Sequence, residues 1–318
     1  MSRKIASIKE KRMDNYITGL TAQKNTDYSL WKAVKYLKKP VVRSNPLKKG
    51  EGRDSRWVKS RKEKAELFAD HLAKVFQPNP PQENNQDFTE EEFAELNPFP
   101  FSEITQQEVC DMIKYKIKVK KAPGMDKITG QILRELPAKA VRKLVLIFNA
   151  TLRLEYIPSS WKMAEVIMIP KAGKPPEQPA SYRPISLLSI IGKLFERLYL
   201  KRLMPLIEER KLIPDHQFGF RQKHSTIEQI HKVVDVIEKA LENKKVVSAV
   251  FLDVAQAFDK VWHDGLLSKL RAILPGNHVR LLESYLTDRK FRVRYEDSFS
   301  TFRDVLAGVP QGSVLGPI

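Results

Sequence analysis

The stretch that most constrains this chain is Val246–His263, VVSAVFLDVAQAFDKVWH. From Val246 to Leu252 only Ser248 is polar, and β-branched and aromatic side chains dominate. A short apolar run of this kind predicts a strand buried on both faces of a sheet. The run ends in Asp253, a carboxylate where such a strand reaches the edge of its sheet. Asp259 follows after a turn through Ala255, Ala257 and Phe258. A carboxylate at the end of a buried strand is costly unless it is paired or bound to a metal. Two readings of Asp253 fit equally: an N-cap at a strand-to-helix turn, and a metal ligand.

A length of 318 residues suffices for one large domain or two ordinary ones. Lys and Arg number 56 against 38 Asp and Glu, a net charge of +18. Such a surplus is the electrostatic footprint of nucleic-acid binding, although a merely basic soluble protein carries it too. Cys110 is the sole cysteine, which excludes an internal disulfide and any cysteine-based zinc site. No apolar run reaches membrane length and the N-terminus has no signal-peptide core. An intracellular protein, not secreted and without a membrane partner, is expected. The histidines have no metal-ligand spacing with a carboxylate, and no glycine-rich loop resembles a P-loop.

Along the chain, residues 1–37 are basic and helix-prone, and 38–61, rich in Pro, Gly and cations, predict a loop. Lys62–Phe76 sets Ala65, Phe68, Ala69, Leu72, Val75 and Phe76 on one stripe of an amphipathic helix. Prolines at 78, 80, 81, 98 and 100 around the acidic Glu90–Glu92 mark an exposed connection. Thr105 with Glu108 and Ser225 with Glu228 read as capping boxes. Helices are predicted at Ile128–Leu136 (capped by Asp126), Ala138–Leu154, Ile185–Met204, Val261–Leu274 and Val279–Leu286. Ala164–Ile169 predicts a strand, and Lys290–Tyr295 a hairpin with Thr301–Leu306. The helix after Ser225 carries Ile227, Ile230, Val233, Val234, Ile237 and Leu241 on one face. It is expected to pack beneath the sheet that holds 246–252.

The stretch FLDVAQAFDKVWHDGLLSKL resembles the first catalytic motif of reverse transcriptases from non-LTR retrotransposons, the jockey-like LINE group. KAPGMDKI at Lys121–Ile128, SYRPISLLSIIGKLFERL at Ser181–Leu198, HQFGFRQKHST at His216–Thr226 and AGVPQGSVLGP at Ala307–Pro317 resemble further motifs of that family. SYRPISLL and FLDVAQAFDKVWH are less similar to group II intron maturases. The resemblance, over about the last two thirds of the chain, implies an α+β right-hand polymerase fold. In that reading, 1–100 is a basic helical extension and linker, 101–245 a fingers-like region and 246–318 a partial palm. The family's next motif, a hairpin with two adjacent aspartates, is expected beyond Ile318, so the chain reads as a fragment inactive alone.

The implied function is RNA-directed DNA polymerisation for a mobile element by two-metal nucleotidyl transfer. The competing reading is a catalytically dead RNA-binding remnant. The resemblance makes Asp253 the catalytic carboxylate and, with the carbonyl of Val254, a ligand for Mg2+. It places Phe258 against the sugar C2′, Arg183 on the incoming base and phosphates, and Gln311 on the nucleotide and template base. Gly312 lets backbone approach the ligand closely. Lys171 and Lys174 compete for a further phosphate contact. Lys121 and Gly124 would meet template RNA, and Arg221 would touch template or support the fingers. Asp259 reads as structural, orienting a neighbour or capping a helix. The implied partners are an RNA template, a DNA primer and deoxynucleoside triphosphates, in nucleus or cytoplasm.

Overall fold

The structure, a computed structural model, describes residues 11, 14, 15, 18, 45–50, 55–79, 100–221 and 223–318. The expectations for most of 1–37 and for 80–99 therefore lie outside the described residues. The chain divides into two units, Met1–Asn45 and Pro46–Ile318. In the first, the Thr18 hydroxyl donates to the Asp14 carbonyl at 2.7 Å, within helical residues. The elements named below belong to the second unit.

Strands β1 (Leu47–Lys49) and β2 (Arg56–Val58) pair antiparallel inside the expected loop, burying Leu47 and Val58. Helix α1 (Arg61–Val75) begins at Ser60, whose hydroxyl accepts the Glu63 N–H and so satisfies one free donor of the first turn. Its predicted stripe is buried: Ala65, Phe68, Ala69, Leu72 and Val75. They face a sheet made of β3 (Met163–Pro170), β4 (Tyr182–Leu187), β5 (Lys290–Tyr295), β6 (Ser298–Phe299) and β7 (Arg303–Asp304). The order is β4-β3-β5-β6, with β7 also pairing β5. β3 runs antiparallel to β4 and parallel to β5.

Side chains of β3 alternate, as a strand requires. Ala164, Val166 and Met168 join Phe291, Val293 and the α1 stripe in one apolar cluster. Glu165 is fully buried on the other face, where Arg292 and Arg294 donate to it at 3.2 and 2.6 Å.

The helices are α2 (Gln106–Asp111), α3 (Gly130–Arg134), α4 (Ala138–Leu154), α5 (Ser159–Lys162), α6 (Ile190–Glu209), α7 (Thr226–Glu242), α8 (His263–Ile273) and α9 (Gly276–Leu286). Both expected capping boxes form, at Thr105 on α2 and Ser225 on α7. A second apolar core joins α2, α4, α6, α8 and α9 around Phe148, Leu194, Phe195, Leu198 and Tyr199.

His278 lies in this core, 2% exposed, with Nδ1 3.0 Å from the Tyr199 hydroxyl. Burial lowers its pKa from 6.5 to about 4. The folded value lies below the unfolded one, so the unfolded chain binds the extra proton between them. Stability is therefore complete above about pH 6.5 and falls as pH drops towards 4. The expected loss is about 3 kcal/mol, since each pH unit carries about 1.4 kcal/mol. Urea melts at pH 7 and pH 4 check this, because His278→Gln should lose that part of the slope. An identical slope in the variant would assign acid sensitivity to other groups.

Several expectations are corrected. No strand forms over 246–252, where Val246 is 94% and Leu252 92% exposed. A buried strand needs a hydrogen-bonded neighbour, and among the described residues none pairs with this run. Helix α7 forms but buries nothing: Ile227 and Leu241 remain 64% and 67% exposed. The helix predicted from Ile185 begins at Ile190, because Tyr182–Leu187 pairs along β3 instead. Asp126 does not cap α3, whose cap is Thr129. Asp126 instead accepts from the Ile128 N–H and the Ser189 hydroxyl, at 3.1 and 2.6 Å. Within the second unit, which begins at Pro46, α1 packs on β5.

Candidate active site

Strand β3 leads into a loop that returns as β4. The Lys171 N–H donates to the Ser181 carbonyl at 2.8 Å, and its ammonium to the Ala180 carbonyl at 3.0 Å. These bonds close the loop and hold Lys171 half-buried beside the start of β4, where Ile169 pairs with Arg183. Lys171 and Arg183 border a cleft of 260 Å3. Asp253, Val254, Ala255, Gln256, Asp259 and Gln311 line it, and α1 contributes His71, Leu72 and Val75. Four segments remote in sequence thus meet around one polar hollow.

Asp253 is exposed at this cleft. The cap alternative for it fails, because the next helix, α8, begins at His263 with Trp262 in the cap position. Asp259 is buried and accepts from Nε2 of Gln311 at 2.8 Å. Burial pushes the Asp259 carboxyl up, while the Gln311 bond and the charge of Lys171 pull it down. Anchoring Nε2 on a carboxylate leaves the Gln311 side-chain oxygen as the acceptor available to a ligand. The backbone is held as well. The Ser186 N–H donates to the Gln311 carbonyl at 3.0 Å, and the Val309 N–H to the Phe258 carbonyl at 2.7 Å.

Other candidate residues lie elsewhere. Phe258 does not line the cleft; its ring packs edge-on against Phe220 at 5.9 Å. Lys174 is exposed on the loop beyond Lys171 and also does not line the cleft. Gly312 adjoins Gln311 with φ of +111°, and a Cβ there would stand 3.1 Å from the Ser186 carbonyl oxygen. That glycine answers to β4 backbone as well as to any ligand. Gly124 is buried, not displayed: a Cβ would lie 2.6 Å from backbone atoms of Leu188 and Ser189. Its smallness seats the 121–128 segment on the turn before α6. Lys121 is exposed, and Arg221 is engaged with the Pro214 carbonyl at 3.2 Å and Asp215 at 3.8 Å.

Sequence reasoning missed His71. Nothing in its local pattern marks it, since it sits within an ordinary amphipathic helix. Burial lowers its pKa, and the charges of Lys171 and Lys74 act in the same direction. Asp253 and Val254 both line the cleft, and a carboxylate or a backbone carbonyl is a hard oxygen ligand of the kind magnesium takes. Among the described residues no three His, Cys, Asp or Glu side chains gather to hold a metal. None of the described helices is long and apolar enough to cross a membrane.

Residues 169–318 match the family model described as reverse transcriptase (RNA-dependent DNA polymerase). The chain is 45% identical over 300 residues to the probable RNA-directed DNA polymerase from transposon BS of Drosophila melanogaster, covering 92% of this chain and 32% of that protein. It is 40% identical over 321 residues to the RNA-directed DNA polymerase from mobile element jockey of the same species, covering 100% of this chain and 34% of the relative. A jockey polymerase of Drosophila funebris is 39% identical over 97% of this chain and 34% of its own length. The chain thus spans about a third of the length of these curated relatives.

Proposed function

We propose, from the reverse transcriptase family model that residues 169–318 match and the 45% identity to a transposon RNA-directed DNA polymerase, that this chain supplies the fingers and the first part of the palm of an intracellular RNA-directed DNA polymerase of a mobile element. The observation that carries this reading is the convergence of Lys171, Arg183, Asp253 and Gln311 on one cleft. Lys171 and Arg183 offer cations for a triphosphate, and the planar guanidinium also suits stacking on a base. Asp253 and the Val254 carbonyl would hold magnesium, which when bound supplies positive charge at the reacting phosphate. Gln311, oriented by Asp259, presents its oxygen to the nucleotide or the template base. Lys174 would reach a phosphate only at the outer edge of the loop. The test is extension of a DNA primer on an RNA template by a polymerase that contains these residues. Template-directed dNTP addition that ignores removal of Asp253 would sink the proposal.

RNA would approach over the basic run. Lys114, Lys116, Lys118, Lys120 and Lys121 are all exposed, next to the 67% exposed Tyr115. Phosphate contacts release counterions, so affinity should fall steeply with salt and depend little on sequence. Reversing Lys118, Lys120 and Lys121 to Glu should lower the log–log salt slope by about one for each phosphate that the run no longer neutralises. A slope equal to that of the parent would make the run a solvated face.

For Phe258 the proposed role is exclusion of the ribose 2′-hydroxyl by a clash. Phe258→Val should lower the ratio of kcat/KM for dNTP over rNTP by about tenfold, because discrimination is differential transition-state binding. A stability loss alone lowers both reactions and leaves the ratio where it was. With an unchanged ratio, the Phe220 contact is all that the ring provides.

A further inference from the structure

Glu196 lies in the middle of α6, 5% exposed, among apolar neighbours of the helical core. A buried carboxylate is costly without compensation. Its compensation is unusual in kind, because among the described residues Glu196 forms no ion pair. Oε2 accepts the backbone N–H groups of Val314 and Leu315, at 2.6 and 3.1 Å. Both amides follow directly on the Gln311-Gly312-Ser313 turn. Charge-assisted bonds of this type are stronger and more directional than neutral ones. Burial pushes the Glu196 carboxyl up, and the two N–H donors with the charges of Arg289 and Lys193 oppose that.

The turn is thus gripped at three points, from β4, from the segment before α8 and from α6. Ser186 on β4 holds the Gln311 carbonyl, Asp259 holds its side-chain amide, and Glu196 holds the amides just beyond. A fully apolar residue at 196 would fill the same space in α6 but leave two backbone donors free. We propose that Glu196 is a positioning residue for the nucleotide cleft, a buried carboxylate that fixes the 311–315 backbone so that Gln311 meets the nucleoside part of the substrate. The inference rests on the reading of the cleft as a deoxynucleotide site. Glu196 itself does not line the cleft, so its effect passes through the turn. The nucleoside should feel that effect, whereas the triphosphate, held by Lys171 and Arg183, should not.

The experiment uses the 318-residue chain and its E196Q and E196M variants, with three measurements: amide hydrogen exchange, affinity for dGTP with magnesium, and affinity for tripolyphosphate with magnesium. E196Q keeps shape and one acceptor oxygen and so guards against loss of folding; E196M keeps neither charge nor acceptor. Exchange at Val314 and Leu315 should rise about tenfold or more in E196M and less in E196Q, with β3 (163–170) unchanged. The dissociation constant for dGTP should rise about fivefold in E196M, the worth of about one hydrogen bond, with tripolyphosphate unaffected. E196Q should recover part of that loss. Unchanged exchange at 314–315, or equal weakening of dGTP and tripolyphosphate, overturns the positioning role. A parent chain that binds neither compound overturns the deoxynucleotide reading and this role with it. A parent that binds both while the variants match it overturns the role alone.

Discussion

A polymerase that contains these residues should lose dNTP incorporation on an RNA template by at least about a thousandfold when Asp253 becomes Asn. A metal-held phosphoryl transfer draws several kcal/mol of transition-state stabilisation from its carboxylate ligands, and each 1.4 kcal/mol is about tenfold in rate. The substitution keeps shape and removes charge. Asp253 is exposed and, among the described residues, makes no hydrogen bond or ion pair, so the fold should not register its loss. Primer–template affinity and the melting temperature should therefore stay near those of the parent. The 318 residues by themselves should bind nucleotide without extending a primer. Asp253 and Asp259 are the carboxylates along the cleft, and Asp259 is already committed to Gln311. Incorporation by Asp253→Asn within tenfold of the parent would remove Asp253 from the chemistry.

The parts legible in the sequence were those decided by local chemistry. Thr105 and Ser225 announce their helices by capping, and the stripe of α1 predicts which of its residues are buried. α4 occupies the predicted Ala138–Leu154 and β3 extends the predicted strand by one residue at each end, because an apolar period with clear boundaries leaves little choice. Tyr182–Leu187 was illegible for the opposite reason. SYRPISLLSII supports either a helix or a strand, and the ladder along β3 decides in favour of the strand. The 246–252 run shows the limit of patterning: an apolar segment specifies a strand only where a partner presents free backbone groups. The same limit explains α7, whose apolar face is correct in sequence and bare in the fold.

The cleft divides in the same way. Arg183, Asp253 and Gln311 are conspicuous through the motifs that carry them, whereas the sequence leaves Lys171 and Lys174 as equal candidates. His71, the Asp259–Gln311 bond and Glu196 depend on segments separated by 52 to more than 100 residues, and nothing near them in sequence announces the meeting. Gly124 is instructive. A motif glycine serves either a ligand contact or close packing, and at Gly124 a Cβ would meet the backbone of Leu188 and Ser189. Only the packing distinguishes the two uses.

Glu165 should be the costliest polar residue to remove. It is fully buried on β3, bonded to Arg292 and Arg294 of β5, with the Lys127 ammonium 3.7 Å away. Glu165→Ala leaves two largely buried guanidiniums facing each other without a counter-charge, a loss of about 3–5 kcal/mol. In a unit of this size that lowers the melting temperature by about 10 °C. The consequence for the cleft is direct, because β3 runs on to Lys171 and pairs with Arg183 through Ile169. Nucleotide affinity should therefore fall alongside stability in this variant. The triple change Glu165→Met, Arg292→Met, Arg294→Met separates the two causes. Apolar replacement of a whole buried ion cluster is often neutral or better, so the triple variant should recover most of the melting temperature. If the single variant melts within about 2 °C of the parent, water or a neighbouring charge is meeting the arginines, and Glu165 is not what joins β3 to β5.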